Sequence, residues 1–123
     1  MTKPAGKKLV VADASRGLDV AFATKALREL CEREAKASKA LGAVAAQRLK
    51  QRLADFFAAK TVAELPRVSV PQSDSIEIEV ELQDNVVMVF RANHNDTPAT
   101  PDGLVDWHRV TRIQILHVGS RDG

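Results

Sequence analysis

Tyrosine is absent from this 123-residue chain, and Cys31 is its only cysteine. A disulfide framework and a zinc site built on cysteines are therefore excluded. No apolar run approaches the roughly 18 residues that a membrane-crossing helix needs. The opening stretch MTKPAGKKLVVADASRG is basic but lacks the apolar segment of a secretory signal. No P-loop, dinucleotide fingerprint, HExxH or GxSxG is present. There is no internal repeat and no low-complexity tract. An intracellular, cytoplasmic location is the simplest reading of these absences.

What is present suits one small α+β domain. Hydrophobic residues make up 45% of the chain and charged residues 28%, ordinary values for a globular protein with one modest core. Net charge is only +2, but it is unevenly spread. Residues 1–66 hold 13 Lys and Arg against 7 Asp and Glu, whereas residues 67–123 hold 5 against 9. The first half is thus basic and the second acidic. A basic face suits phosphate backbones, and the plainer alternative is a solvated helical surface.

Residues 1–17 read as an N-terminal extension, with a possible strand at Lys8–Ala12 and a turn at Asp13–Gly17. Residues 18–123 read as the domain. Asp19–Ala23 is an expected strand. Thr24 is an expected N-cap, its hydroxyl accepting from a free first-turn amide. A helix follows to about Lys36, with Leu27, Leu30 and Cys31 on one stripe. Cys31 there reads as a small core residue rather than a reactive thiol. Ser38 and Gly42 mark a break. A second helix runs to about Lys60 on the stripe Leu41, Val44, Ala45, Leu49, Leu53 and Phe56. Arg48, Lys50, Arg52 and Lys60 fall off that stripe and are expected to be exposed. Thr61 to Glu64 fits a capping box.

Ser75–Leu82 alternates Ile76, Ile78, Val80 and Leu82 with Glu77, Glu79 and Glu81, the period of a half-buried strand. Val86–Arg91 is apolar on both faces, as a central strand would be. A three-residue turn between them pairs Leu82 with Val86, Val80 with Met88, Ile78 with Phe90 and Glu77 with Arg91. Residues 92–106 form a long loop, and Trp107–Val118 a last strand with Thr111, Ile113 and Ile115 on one face. Trp107 is expected to pack on the sheet, although a Trp can also stack on a base.

Several of these segments carry a family resemblance. A strand ending in FAT (residues 22–24), LRELCE (27–32), the LG break (41–42), RLADF (52–56) and LP (65–66) come in that order. They are followed by FRANHND (90–96) and DGLVDWHRVTRIQIL (102–116). Over residues 20–118 the chain resembles the HigB branch of the RelE-like toxins of type II toxin–antitoxin modules, the plasmid-maintenance killer proteins. The resemblance implies a RelE-like α+β fold with two N-terminal helices packed on a mainly antiparallel sheet. It implies a ribosome-dependent messenger-RNA endoribonuclease that inhibits translation, using neither cofactor nor metal. The implied partners are a helix-turn-helix antitoxin, the ribosome and messenger RNA, with no membrane.

That chemistry needs cations on phosphate and an acid–base group at the 2′-hydroxyl. The positions where the family keeps them differ here. Val68–Gln72 has neither His nor Lys, Val86–Met88 has no Arg, and the C-terminus has no Tyr or His. Substitutes lie at the ends of the long loop. Arg91, His94 and Arg109 are the candidate catalytic residues, since Arg suits phosphate and His suits proton transfer. Arg48, Arg52, Lys60, His108 and Arg112 are candidates for RNA or ribosome contact. Glu77, Glu79 and Glu81 would repel RNA and suit a basic partner segment. A catalytically degenerate member that binds a protein or the ribosome is the alternative function. A small enzyme with its pocket at the loop base is a weaker third.

Overall fold

The structure is a computed structural model and describes residues 17–122. The strand expected at Lys8–Ala12 and most of the extension 1–17 lie outside those residues. Four strands and three helices are present: β1 (Asp19–Phe22), α1 (Lys25–Glu32), α2 (Glu34–Leu41), α3 (Ala43–Ala58), β2 (Glu77–Gln83), β3 (Val86–Ala92) and β4 (Arg112–Ser120). Short 3₁₀ turns occur at Val62–Glu64 and Trp107–Arg109. The domain is α+β, and its sheet is open and mixed. Strand order is β1-β4-β3-β2, with β1 parallel to β4 and the remaining pairs antiparallel.

Three helices stand where two were expected. Thr24 does cap α1, accepting from the Leu27 amide at 3.1 Å. The first helix then ends at Arg33, whose extended backbone (φ −116°, ψ 108°) separates α1 from α2. Arg33 is neither Gly nor Pro, so the break reflects tertiary packing: α2 turns to lie along α3. A surface ion pair from Lys36 to Glu29 spans the bend and another from Lys50 to Glu34 ties α3 to α2, both at 2.8 Å, and exposed pairs like these contribute little stability. The second break falls at Gly42, as the sequence indicates. Its φ of 89° and ψ of 161° lie in a region that side chains rarely tolerate.

Only α3 packs deeply on the sheet. It buries Ala45, Leu49, Arg52 and Phe56, steps of four, three and four that trace one helical face. Val44, expected on that stripe, is exposed, and Arg52, expected outside it, is buried. The ring of Phe56 meets Phe90 of β3 edge-on, centroids 5.3 Å apart. Around this pair lie Leu18, Ile78, Val80, Leu82, Met88, Ile113 and Ile115. The expected capping box between Thr61 and Glu64 does not form, and the Glu64 side chain reaches one residue further back. Glu64 accepts from the Lys60 amide at 3.0 Å, and the Thr61 side chain caps nothing.

The hairpin pairs Glu77 with Arg91, Ile78 with Phe90 and Val80 with Met88, the expected register. It does not pair Leu82 with Val86. Gln83 faces Val86 instead, and a bulge at Leu82 absorbs the extra residue. The turn is Asp84–Asn85, with Asn85 left-handed at φ 61°. A second irregularity at Val89/Phe90 leaves Leu116 of β4 unpaired, so Val118 joins Ile113 and Ile115 in the core. Thr111 is exposed rather than on that face, and Trp107 lies in a 3₁₀ turn before the strand.

Candidate functional site

The long loop is tightly hydrogen-bonded, and the candidate catalytic residues are part of its framework. Arg91 sits across the sheet from Gln114 and donates to its Oε1 at 2.8 Å. Its other nitrogens donate to the Ala92 carbonyl at 3.0 Å and to Asn93 Oδ1 at 2.9 Å. Glu77 lies opposite Arg91 in register but forms no ion pair with it. Arg109 donates to Asp106 Oδ2 and to the Ala99 carbonyl, both at 2.8 Å. The hydrogen bond from Arg109 holds the Asp106 carboxyl below the usual range. Arg109 thus closes the loop on itself.

His94 Nε2 accepts from the backbone amides of Thr111 at 3.1 Å and Arg112 at 3.3 Å. A nitrogen that accepts carries no proton, so these bonds select the neutral ring with its proton on Nδ1. Burial, and then the charge of Arg112, lower the His94 pKa. Protonation would turn Nε2 into a donor facing two donors. Because the folded pKa lies below the unfolded one, the contribution of His94 to stability is full above about pH 6.5. It is lost as the pH falls through the depressed folded value. Thermal melts at pH 7.5 and pH 5 should show a larger acid loss in the wild type than in His94→Gln. Equal losses would sink this assignment.

The remaining predicted contacts scatter. His108 is exposed on the 3₁₀ turn, and Lys60 is exposed past the end of α3. Arg112 is largely exposed beside His94, with Asp19 at 3.8 Å. His117 Nε2 lies 2.8 Å from the Ser120 carbonyl. Trp107 is buried and cannot stack on a base; its indole nitrogen has no hydrogen-bond partner among the described residues. Cys31 is half-buried between the helices, where burial pushes its thiol up to about 11. Alkylation by iodoacetamide near neutral pH should run about a hundredfold slower than for free cysteine, matching the smaller thiolate fraction. Urea should restore the rate, and fast labelling of the native protein would contradict the burial.

A different place gathers charge. Between α3 and the free edge of β2 lies a cleft of about 560 Å³ lined by Arg48, Gln51, Arg52, Arg67, Ser69 and the Glu79–Glu81 stretch. Arg48 donates to the Leu82 carbonyl at 2.9 Å, capping a group absent from the β2–β3 pairing at the bulge. Arg52 is 7% exposed, and only its Nε is bonded, to Asp55 Oδ2 at 3.2 Å. Its terminal nitrogens have no partner among the described residues. Those nitrogens still reach solvent through the cleft, so the buried stem presents open donors to whatever enters it, and a charge-assisted bond from a guanidinium is the strong kind.

Sequence reasoning selected Arg48 and Arg52 for binding but placed Arg52 on the surface. It missed Arg67, whose left-handed φ of 61° on the turn after Pro66 has no marker in residue type. Glu79 is paired with Arg121 at 3.0 Å, while Glu77 and Glu81 are exposed and unpaired among the described residues. Among the described residues no group of His, Cys, Asp or Glu is placed to hold a metal, and no helix is long and apolar enough to cross a membrane. Comparison of the chain with protein-family models, curated proteins and solved structures finds no match.

Proposed function

We propose that this chain is a HigB-like protein of the RelE superfamily that acts by binding a protein or ribosomal partner rather than by cutting RNA. The sequence pattern over residues 20–118 supports the family and its RelE-like topology. One observation carries the loss of chemistry: the sole histidine among the three candidate catalytic residues spends its basic nitrogen on two backbone amides. Arg91 and Arg109 are tied to loop carbonyls and side chains through three and two of their donors. A general base needs a free lone pair within reach of substrate, and His94 has none to offer while Nε2 holds those amides. The partner in this reading is a cytoplasmic one, an antitoxin-type protein or the ribosome, and the free donors of the Arg52 cleft are where it would meet the chain.

Ribosome-dependent cleavage is the second reading, and the exposed guanidinium of Arg112 beside His94 favours it. Tightly induced expression in a bacterial host, with cellular RNA mapped for new 5′ ends, separates the two. Binding without cleavage predicts intact messages, with or without Arg91→Ala or His94→Ala. Cuts inside translated messages that vanish in those variants would install the nuclease reading instead.

A further inference from the structure

β2 is an edge strand, and its register dictates which of its backbone groups are free. The Ala92 amide donates to the Ile76 carbonyl at 2.9 Å, so residues 76, 78 and 80 point their polar groups at β3. Glu77, Glu79 and Glu81 point theirs outward, toward the cleft. The Glu77 amide is already taken by Ser75 Oγ at 3.3 Å. The amides and carbonyls of Glu79 and Glu81 have no partner among the described residues. A free edge of this kind is a template for another strand.

The two faces beside that edge differ in charge. Ile78, Val80 and Leu82 point toward α3, so Arg48, Arg52 and Arg67 flank the edge on that face. Glu77, Glu79 and Glu81 point to the opposite face. Side chains of an added strand would alternate between the two. Every second residue would meet guanidinium groups, and the residues between would meet the carboxylates of Glu77 and Glu81, with that of Glu79 shared with Arg121 at 3.0 Å. Opposite charges directly across a strand pair stabilise it, and like charges destabilise it. A second copy of β2 is thereby rejected, since it would set Glu against Glu. A continuous polyanion such as RNA would meet the same carboxylates.

Resting on the binding role proposed above, we infer that the β2 edge accepts an extended polypeptide segment of alternating acidic and basic residues, added as a fifth strand. Its acidic residues face Arg48, Arg52 and Arg67, and its basic residues face Glu77, Glu79 and Glu81. About five residues suffice to follow the edge from Glu77 to Glu81 at the strand rise of roughly 3.4 Å.

The test uses the full chain and end-capped octapeptides. One peptide alternates Glu and Lys, and its isomer has the same residues in two blocks. Fluorescence anisotropy at low salt should give at least tenfold tighter binding of the alternating peptide. Methylating alternate backbone nitrogens of that peptide should abolish binding, and hydrogen exchange should slow at the Glu79 and Glu81 amides of the complex. Arg52→Gln should weaken binding about tenfold. Because Arg52 is buried, the exposed Glu81→Lys provides a second variant that leaves the fold alone, and it should weaken the same peptide. Equal binding of the two isomers, no binding, unchanged exchange at Glu79 and Glu81, or an RNA oligonucleotide that displaces the peptide would each overturn the inference. The RNA-mapping experiment can fail independently, since a chain that cuts messages can still bind the alternating peptide, and a chain that does not can fail to bind it.

Discussion

Replacing Phe56 by alanine should cost about 3–5 kcal/mol, the range for emptying a large aromatic from a packed core. Phe56 is 1% exposed and meets Phe90, which is fully buried, edge-on. Those two rings are the main aromatic contact between α3 and the sheet. Few atoms nearby can collapse into the space, because Leu49, Ile78 and Ile113 are held by their own helix and strands. Against a typical stability of about 5–15 kcal/mol, the loss is a large fraction. The adjacent Phe57 provides the control. It is 58% exposed, so Phe57→Ala should change stability by no more than about 0.5 kcal/mol. Urea unfolding of both variants checks this, with a fall in midpoint at unchanged slope expected for Phe56→Ala alone. Equal effects would mean that α3 does not seat on the sheet through Phe56.

The contrast between those neighbours shows what was legible in the sequence. Apolar residues four and three apart identify α3, and strict alternation identifies β2. Most of the hairpin register followed from pairing Ile78 with Phe90 and Glu77 with Arg91. Residue type misled at Arg52. The steps 45, 49, 52, 56 carry it onto the buried face, but a cation is seldom assigned to a core stripe. The Leu82 bulge was hidden for another reason. It depends on Asn85 taking a left-handed turn and on Arg48, 34 residues earlier, reaching the Leu82 carbonyl. Local pattern contains neither fact. The break at Arg33 has no local marker at all, and α2 leaves α1 there because α3 gives it a surface.

Much the same holds for the candidate site. The sequence singled out Arg91, His94 and Arg109 as polar residues at the ends of a long loop, and the structure does place them there. Their hydrogen bonds could not be read in advance, since each depends on how the loop closes: Arg109 on Ala99, His94 on the start of β4, Arg91 on Gln114. Once closed, these groups organise the loop. Arg52 keeps open donors on a helix rather than a loop, and they face a strand edge whose freedom is visible only once the strand order is known.

That cleft depends on where α3 lies, and α3 is fixed to both edges of the sheet. Toward β2, Arg48 holds the Leu82 carbonyl. Toward β1, the Leu18 amide donates to the Phe56 carbonyl at 3.0 Å. Gly17 permits the second attachment. A Cβ at residue 17 would stand 2.2 Å from the Phe57 carbonyl oxygen and 2.6 Å from its carbon. Both are backbone atoms, so no side chain can swing aside. Gly17→Ala must therefore lift the start of β1 from the end of α3 and stretch the Leu18–Phe56 bond. Overpacking typically costs about 1–3 kcal/mol, and with backbone on both sides the upper end is expected. The melting temperature should fall by roughly 4 °C for each kcal/mol. Amide exchange should quicken at Leu18 while that of Met88, in the centre of the sheet, keeps its rank. A wild-type melting temperature would show that residue 17 does not pack on α3 and that the end of α3 is not held at β1.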